Sequence, residues 1–210
     1  MTLTLYVGSK RYSSWSLRPY VALVHTGLAC ETRTILLDRE VSRAEIAQVN
    51  PAGRLPVLHH DGLVVWDSLA ICEYANELFP EARLWPEDRA RRARARSIAA
   101  EMHSGFLTLR QSMPMILDER RPGQGHTPEV LAEAQRIQAI WREALEASGG
   151  PFLFGSFTIA DAMFAPVATR FTTYGVPTGG ACGAYVEALA ALPAMKRWYE
   201  ESIEEPRLPI

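Results

Sequence analysis

The sequence predicts an α/β region over residues 1–80 and an all-helical region over residues 89–210, joined by a polar linker at 81–88. Three observations carry this. Before residue 80, short alternating apolar runs take turns with segments of helical spacing. Asp61-Gly62 lies between two apolar runs and is the strongest hairpin signal in the chain. Beyond Arg89 the signals are helical, separated by loops rich in glycine and proline.

The elements follow in order. Leu3, Leu5 and Val7 alternate with Thr2, Thr4 and Tyr6, which reads as the first strand. Gly8, Ser9 and Lys10 break it. Val21 to Val24 then continues with helical spacing, and Pro19 fits best in a first helical turn, where no intrahelical donor is needed. That places the helix start near Ser16, with Ser13 and Ser14 in the loop before it and Gly27 near its end. Free N–H groups and the positive end of the helix dipole converge at such a start. Serine hydroxyls there suit an anion such as a thiolate or carboxylate, but the local pattern by itself favours a plain helix cap.

Thr32 to Leu37 reads as a second strand, and the charged stretch Asp38 to Gln48 as a weak helix. Pro51 and Gly53 make a turn. Pro56 stands at the entrance to the run Val57-Leu58, where a cis Leu55–Pro56 bond would leave the backbone of Leu55 free for a ligand. Leu63 to Trp66 completes the hairpin. Asp67-Ser68 opens a helix that Pro80 stops. Asp67 would also suit a ligand's ammonium, and Ser68 its carboxylate.

In the second region, Arg89 to Arg96 carries five arginines interleaved with alanine. Acidic neighbours and the lack of interleaved aromatics favour a solvated helix face over a nucleic-acid patch. The same helix is expected to run through Met102, Phe106 and Leu109. His103, Ser104, Phe106 and Arg110 would face the mouth of the first region. Met113-Pro114-Met115 ends it. Arg120 to Pro128 is a loop, and Glu129 to Ala147 an amphipathic helix stopped by Gly149 and Gly150. Thr158-Ile159-Ala160-Asp161 is a capping box with Asp at the reciprocal position, a folding determinant. Tyr174 to Gly183 reads as a loop and Ala184 to Tyr199 as one last helix.

Composition sets bounds on function. With 210 residues, 48% of them hydrophobic, a sizeable core is available. A formal charge of -2 gives no reason to expect nucleic acid or an anionic membrane as partner. Neither a signal peptide nor a membrane-spanning run is expected. Cys30, Cys72 and Cys182 are scattered, so no disulfide framework and no metal site is expected, and a reducing, cytoplasmic setting follows.

The element order, the serine-rich loop before the first helix, Leu55-Pro56 within Asn-Pro-Ala-Gly-Arg-Leu-Pro-Val-Leu, and Asp67-Ser68 together resemble the thioredoxin-like domain of the cytosolic glutathione transferases. The Ser/Thr-x-x-Asp box and Pro166 also resemble that family's all-helical domain. Ser-Ser-Trp-Ser-Leu-Arg is similar to the Ser-Ser-Cys-x-x-Arg signature of the zeta class, with Trp15 in place of the cysteine. The resemblance is closest to bacterial members of serine type.

It implies a thioredoxin-like domain followed by an all-α domain, and an enzyme that activates the glutathione thiol for attack on a small electrophile. Glutathione is the implied co-substrate. Ser13 falls on the family's catalytic serine, with Ser14 beside it as the alternative. The cysteinyl backbone would bind at Leu55 and Pro56, and the γ-glutamyl end at Asp67 and Ser68. The glycyl carboxylate would meet Arg54, with Arg39 or Arg43 as further candidates. Trp15, His103, Phe106 and Arg110 would line the electrophile pocket. A homodimer is the implied assembly. Isomerisation of the maleylacetoacetate type ranks second, because Arg170 is offset from the isomerases' arginine. A glutathione-binding stress or assembly protein without turnover is the alternative of another class.

Overall fold

The computed structural model describes residues 3–37 and 41–208, with Val41 described by its backbone alone. Strands β1 (Leu3–Gly8), β2 (Cys30–Ile35), β3 (Val57–His60) and β4 (Leu63–Trp66) form one sheet in the order β2-β1-β3-β4. β1 pairs parallel with β2 and antiparallel with β3, and β3 pairs antiparallel with β4. Leu3, Leu5 and Val7 are all buried, as their alternation requires. Asp61 and Gly62 both have positive φ, 45° and 89°, the condition for a two-residue hairpin turn that matches strand twist.

Helices α1 (Ser14–His25), α2 (Val41–Val49) and α3 (Ser68–Leu78) complete the thioredoxin-like unit. α1 begins two residues before the expected start. The reason is Ser13, which caps it by accepting the Ser16 N–H, while Ser16 turns inward and accepts the Gly8 N–H at 3.0 Å. Pro19 therefore lies inside the helix, not in its first turn, and cannot donate to the Trp15 carbonyl. β2 also comes two residues earlier than expected, set by the register that pairs Leu3 with Cys30.

The segment after α3 is less polar in behaviour than in composition. Pro80–Ala82 forms one 3-10 turn, and Leu84 and Trp85 are buried. The Leu84 carbonyl accepts from the Ile159 N–H at 2.9 Å, and the Trp85 indole donates to Glu73 at 2.9 Å. Helices α4 (Arg89–Ser104), α5 (Leu107–Ser112), α6 (Pro128–Ser148), α7 (Ile159–Tyr174), α8 (Gly180–Ala191) and α9 (Pro193–Glu204) follow. The arginine-rich start of α4 is held by local carboxylates and carbonyls, with Arg94 on Glu143 and Arg91 on the Phe154 carbonyl.

Two expected helices are divided. The helix expected to pass Leu109 stops at Ser104. Gly105 then comes so close to the Glu101 carbonyl that a Cβ would sit 2.7 Å from it, and Phe106 turns the chain with φ 58°. The expected single last helix breaks at Leu192, held extended by the proline that starts α9. α7 is the central helix and is buried along almost its whole length. Trp141 of α6 packs its ring against Phe164, Phe171 and Tyr185. Asp161 accepts from the N–H groups of Thr158 and Leu153 and from the Tyr185 hydroxyl, so the capping box is present and extended. Among the described residues no helix is long and apolar enough to cross a membrane.

Candidate active site

A cleft of about 480 Å³ opens where β3, the starts of α1 and α3, and α4 meet. Trp15, Arg54, Leu55, Pro56, Asp67 and Ser68 line it from the first unit, and His103 from α4. The Leu55–Pro56 bond is cis. The Leu55 N–H and C=O have no backbone partner among the described residues.

Asp67 caps α3. Its Oδ1 accepts from the Leu69 N–H at 2.9 Å, and Oδ2 lies 3.3 Å from His103 Nε2. Its φ of 76° is one that a residue with a side chain rarely adopts. Ser68 is 1% exposed, and its Oγ has no partner among the described residues. A buried hydroxyl without a partner costs stability unless something else fills the need. The same wall therefore offers a free hydroxyl, a carboxylate and a free backbone edge.

Beneath this wall lies a concentration of positive charge. The Arg18 guanidinium sits 4.3 Å from the centre of the Trp15 ring and that of Arg110 4.7 Å, within cation–π range. Arg18 is 1% exposed, and its Nε and Nη1 have no partner among the described residues. Arg170 of α7 is buried and donates to Ser14 Oγ at 3.1 Å. Burial, then the charges of Arg110 and Arg170, depresses Arg18 well below the ordinary arginine range. Arg170 is lowered to about 10, mainly by burial and next by Arg110. Burial also lowers His103, aided by Arg18 and Arg110 and opposed by Asp67.

The chain is similar to known proteins in sequence and in fold. Residues 12–78 match the family model described as glutathione S-transferase, N-terminal domain, and residues 124–201 the one described as its C-terminal domain. The chain belongs to the glutathione S-transferase family. It is 31% identical over 163 residues to a probable maleylacetoacetate isomerase of Caenorhabditis elegans, covering 76% of each chain. It is 26% identical over 171 residues to a stringent starvation protein A homolog of Pasteurella multocida, covering 81% of this chain and 76% of the relative. Among solved structures it is similar to a glutathione transferase homolog from Burkholderia with bound glutathione, at 26% identity and a TM-score of 0.75, covering 98% of this chain and all of that one. A thioredoxin-like sheet and an all-helical region are shared with that structure, and glutathione is the co-substrate of the family.

Within this transferase the expected site residues divide into two groups. Trp15, Arg54, Leu55, Pro56, Asp67, Ser68 and His103 come together on the cleft. Ser13, Ser14, Phe106 and Arg110 are not on its wall. Ser13 is committed to Ser16, accepting its N–H at 3.4 Å and donating to its Oγ at 2.7 Å. Ser14 faces Arg170. Phe106 turns into the core at the break between α4 and α5. Arg110 lies behind Trp15 and donates to the Met102 and His103 carbonyls at the end of α4. Arg43 is exposed on α2, and Arg39 lies outside the described residues. Trp66 and Ala52 complete the cleft wall and were not foreseen. Trp66 is the strand residue just before Asp67, and that adjacency is the signal that could have found it.

Proposed function

We propose that this cleft binds glutathione in an extended form and activates its thiol for attack on a small electrophile. The single observation that carries the reading is the wall of Leu55, Asp67 and Ser68, with an unpartnered hydroxyl and a free backbone edge beside a carboxylate. The cysteinyl N–H and C=O pair with Leu55. The γ-glutamyl ammonium pairs with Asp67, and its carboxylate takes the Ser68 hydroxyl and the N-terminal N–H groups of α3. Arg54 is in reach of the glycyl carboxylate. The sulfur then points toward the start of α1, where Ser13 and Ser14 are the candidate donors and the electrophile lies against Trp15 and His103. A thiol near ~8.5 in water is mostly protonated at neutral pH, so thiolate stabilisation is the catalytic contribution.

The Caenorhabditis elegans relative supports isomerisation as a second reading, since adding and removing glutathione across a double bond uses the same thiolate. A homodimer is the proposed assembly, and exposed Leu63 and Trp66 on β4 offer apolar surface to a partner. The three thiols are unpaired, in keeping with a reducing, cytoplasmic setting. The test is glutathione consumption with a broad panel of small electrophiles. Enzyme-dependent loss with at least one is expected. Glutathione binding with no turnover across the panel would favour a binding protein instead.

A further inference from the structure

α7 of the helical region reaches the start of α1. Arg170 is anchored there by two backbone carbonyls, with Nε on Met113 at 2.8 Å and Nη1 on Pro166 at 3.4 Å. That leaves Nη2 aimed at Ser14 Oγ, 3.1 Å away. A hydroxyl has one hydrogen to donate and lone pairs to accept with. At Ser14 the acceptor side is filled by a charged donor, and its hydrogen has no acceptor among the described residues. At Ser13 the hydrogen is used on Ser16. Ser13 is tied to Ser16 through the cap, while Ser14 keeps a free donor.

The surroundings are electropositive. Arg18 on α1 and Arg110 on α5 face the same place, and no carboxylate forms an ion pair with Arg18, Arg110 or Arg170 among the described residues. Two carboxylates face them, Asp67 beside Arg18 and Glu133 beside Arg110, so three guanidinium groups stand against two carboxylates. Asp67 is occupied at the α3 N-terminus and with His103. Glu133 of α6 accepts the Leu109 N–H. Burial pushes Cys72 of α3 and Tyr174 of α7 up, so both stay neutral, and pushes His103 of α4 down.

We propose that Arg170 is a positioning residue for the glutathione sulfur: it fixes the Ser14 hydroxyl as the sulfur's donor and, with Arg18 and Arg110, supplies the positive charge that holds the thiolate. The inference rests on the glutathione-activating reading above. The thiol proton leaves to solvent, and no protein base is required.

The experiment is thiolate absorbance against pH for proteins saturated with glutathione, with glutathione affinity measured separately by calorimetry. Arg170→Met and Ser14→Ala are each expected to move the thiol midpoint up by about one unit, a roughly tenfold loss of thiolate on the acid side. The double variant is expected to move it little further, because the two act as one unit. Arg170→Lys keeps the charge and is expected to recover part of the shift. Glutathione affinity is expected to change by less than about threefold, since the binding contacts lie at Leu55, Asp67 and Ser68. Curves for Arg170→Lys and Ser14→Ala that overlay the wild type would overturn the proposal, even if Arg170→Met fails to fold. So would a Ser13→Ala curve that alone takes the shift. A wild type that binds no glutathione in calorimetry would remove the underlying reading, and this one with it.

Discussion

Asp67 concentrates the residue-scale argument. A non-glycine residue at φ 76° costs on the order of 1–3 kcal/mol and persists only where its neighbours over-determine it. Here the hydrogen bonds from the Leu69 and Ala70 N–H groups to Oδ1 offset that cost, and the turn brings Ser68 inward with an unused hydroxyl. Ser68→Ala should weaken glutathione binding by ~1.5–3 kcal/mol, the range for a hydrogen bond to a charged group, which is about tenfold or more in Kd. An unchanged calorimetric Kd would contradict the γ-glutamyl assignment. The cis Leu55–Pro56 bond and the Asp67 cap were legible in the sequence because each is made by adjacent residues. Arg170 and Ser14 were not legible as a pair. They are far apart in the chain, and only the packing of α7 on α1 makes the contact. The position of Ser13 before a helix favours a cap, which it is, and its role as the sulfur's donor rests on the family resemblance.

At the scale of elements, the boundaries that went unread were set by contacts between elements. α4 ends at Ser104 because Gly105 passes over the Glu101 carbonyl and Arg110 returns to cover the last carbonyls of the helix. Gly105→Ala forces a Cβ to 2.7 Å from that oxygen, so the backbone must shift. An overpacking loss of ~1–3 kcal/mol is expected, seen as a lower urea midpoint with an unchanged m-value. A wild-type midpoint would show that the break rests on something else.

The N-terminus of α7 was legible because Thr158 and Asp161 are three residues apart. Its reach to Leu153 and Tyr185 was not. Asp161→Ala leaves two N–H groups and two hydroxyls, those of Thr158 and Tyr185, without their acceptor, so the loss should exceed the ~1 kcal/mol of an exposed cap. Burial lifts the Asp161 carboxyl from 3.8 to about 6, against hydrogen bonds that favour its charge. The folded value lies above the unfolded one, so the folded protein binds the extra proton in between. The contribution of this group is then fully present below pH 3.8 and declines as pH rises to about 6. The stability difference between wild type and Asp161→Ala should shrink across that window, and a difference that grows would contradict the sign.

At the scale of the whole molecule, one apolar core runs through both regions, with Leu84 and Trp85 of the connecting segment inside it. The C-terminal strap closes the other side. Arg11, in the loop before α1, donates to the Ile203 and Glu205 carbonyls, and the Trp198 indole donates to the Lys10 carbonyl. Unfolding should therefore be one cooperative transition, with tryptophan fluorescence and far-ultraviolet dichroism coinciding. Two separated transitions would show that the regions are held together only weakly. The chain as a whole carries a formal charge of -2, yet its cleft is backed by Arg18, Arg110 and Arg170. Composition could not reveal this, because charge balance over a chain says nothing of where the charges gather.

In the proposed function the start of α1, with the charge gathered behind it, converts bound glutathione to its thiolate. Thiolate absorbance against pH for the wild-type protein saturated with glutathione tests it most directly. The midpoint should fall at least about one unit below the ~8.5 of an ordinary cysteine thiol. A midpoint equal to that of free glutathione, at saturation shown by calorimetry, would contradict it.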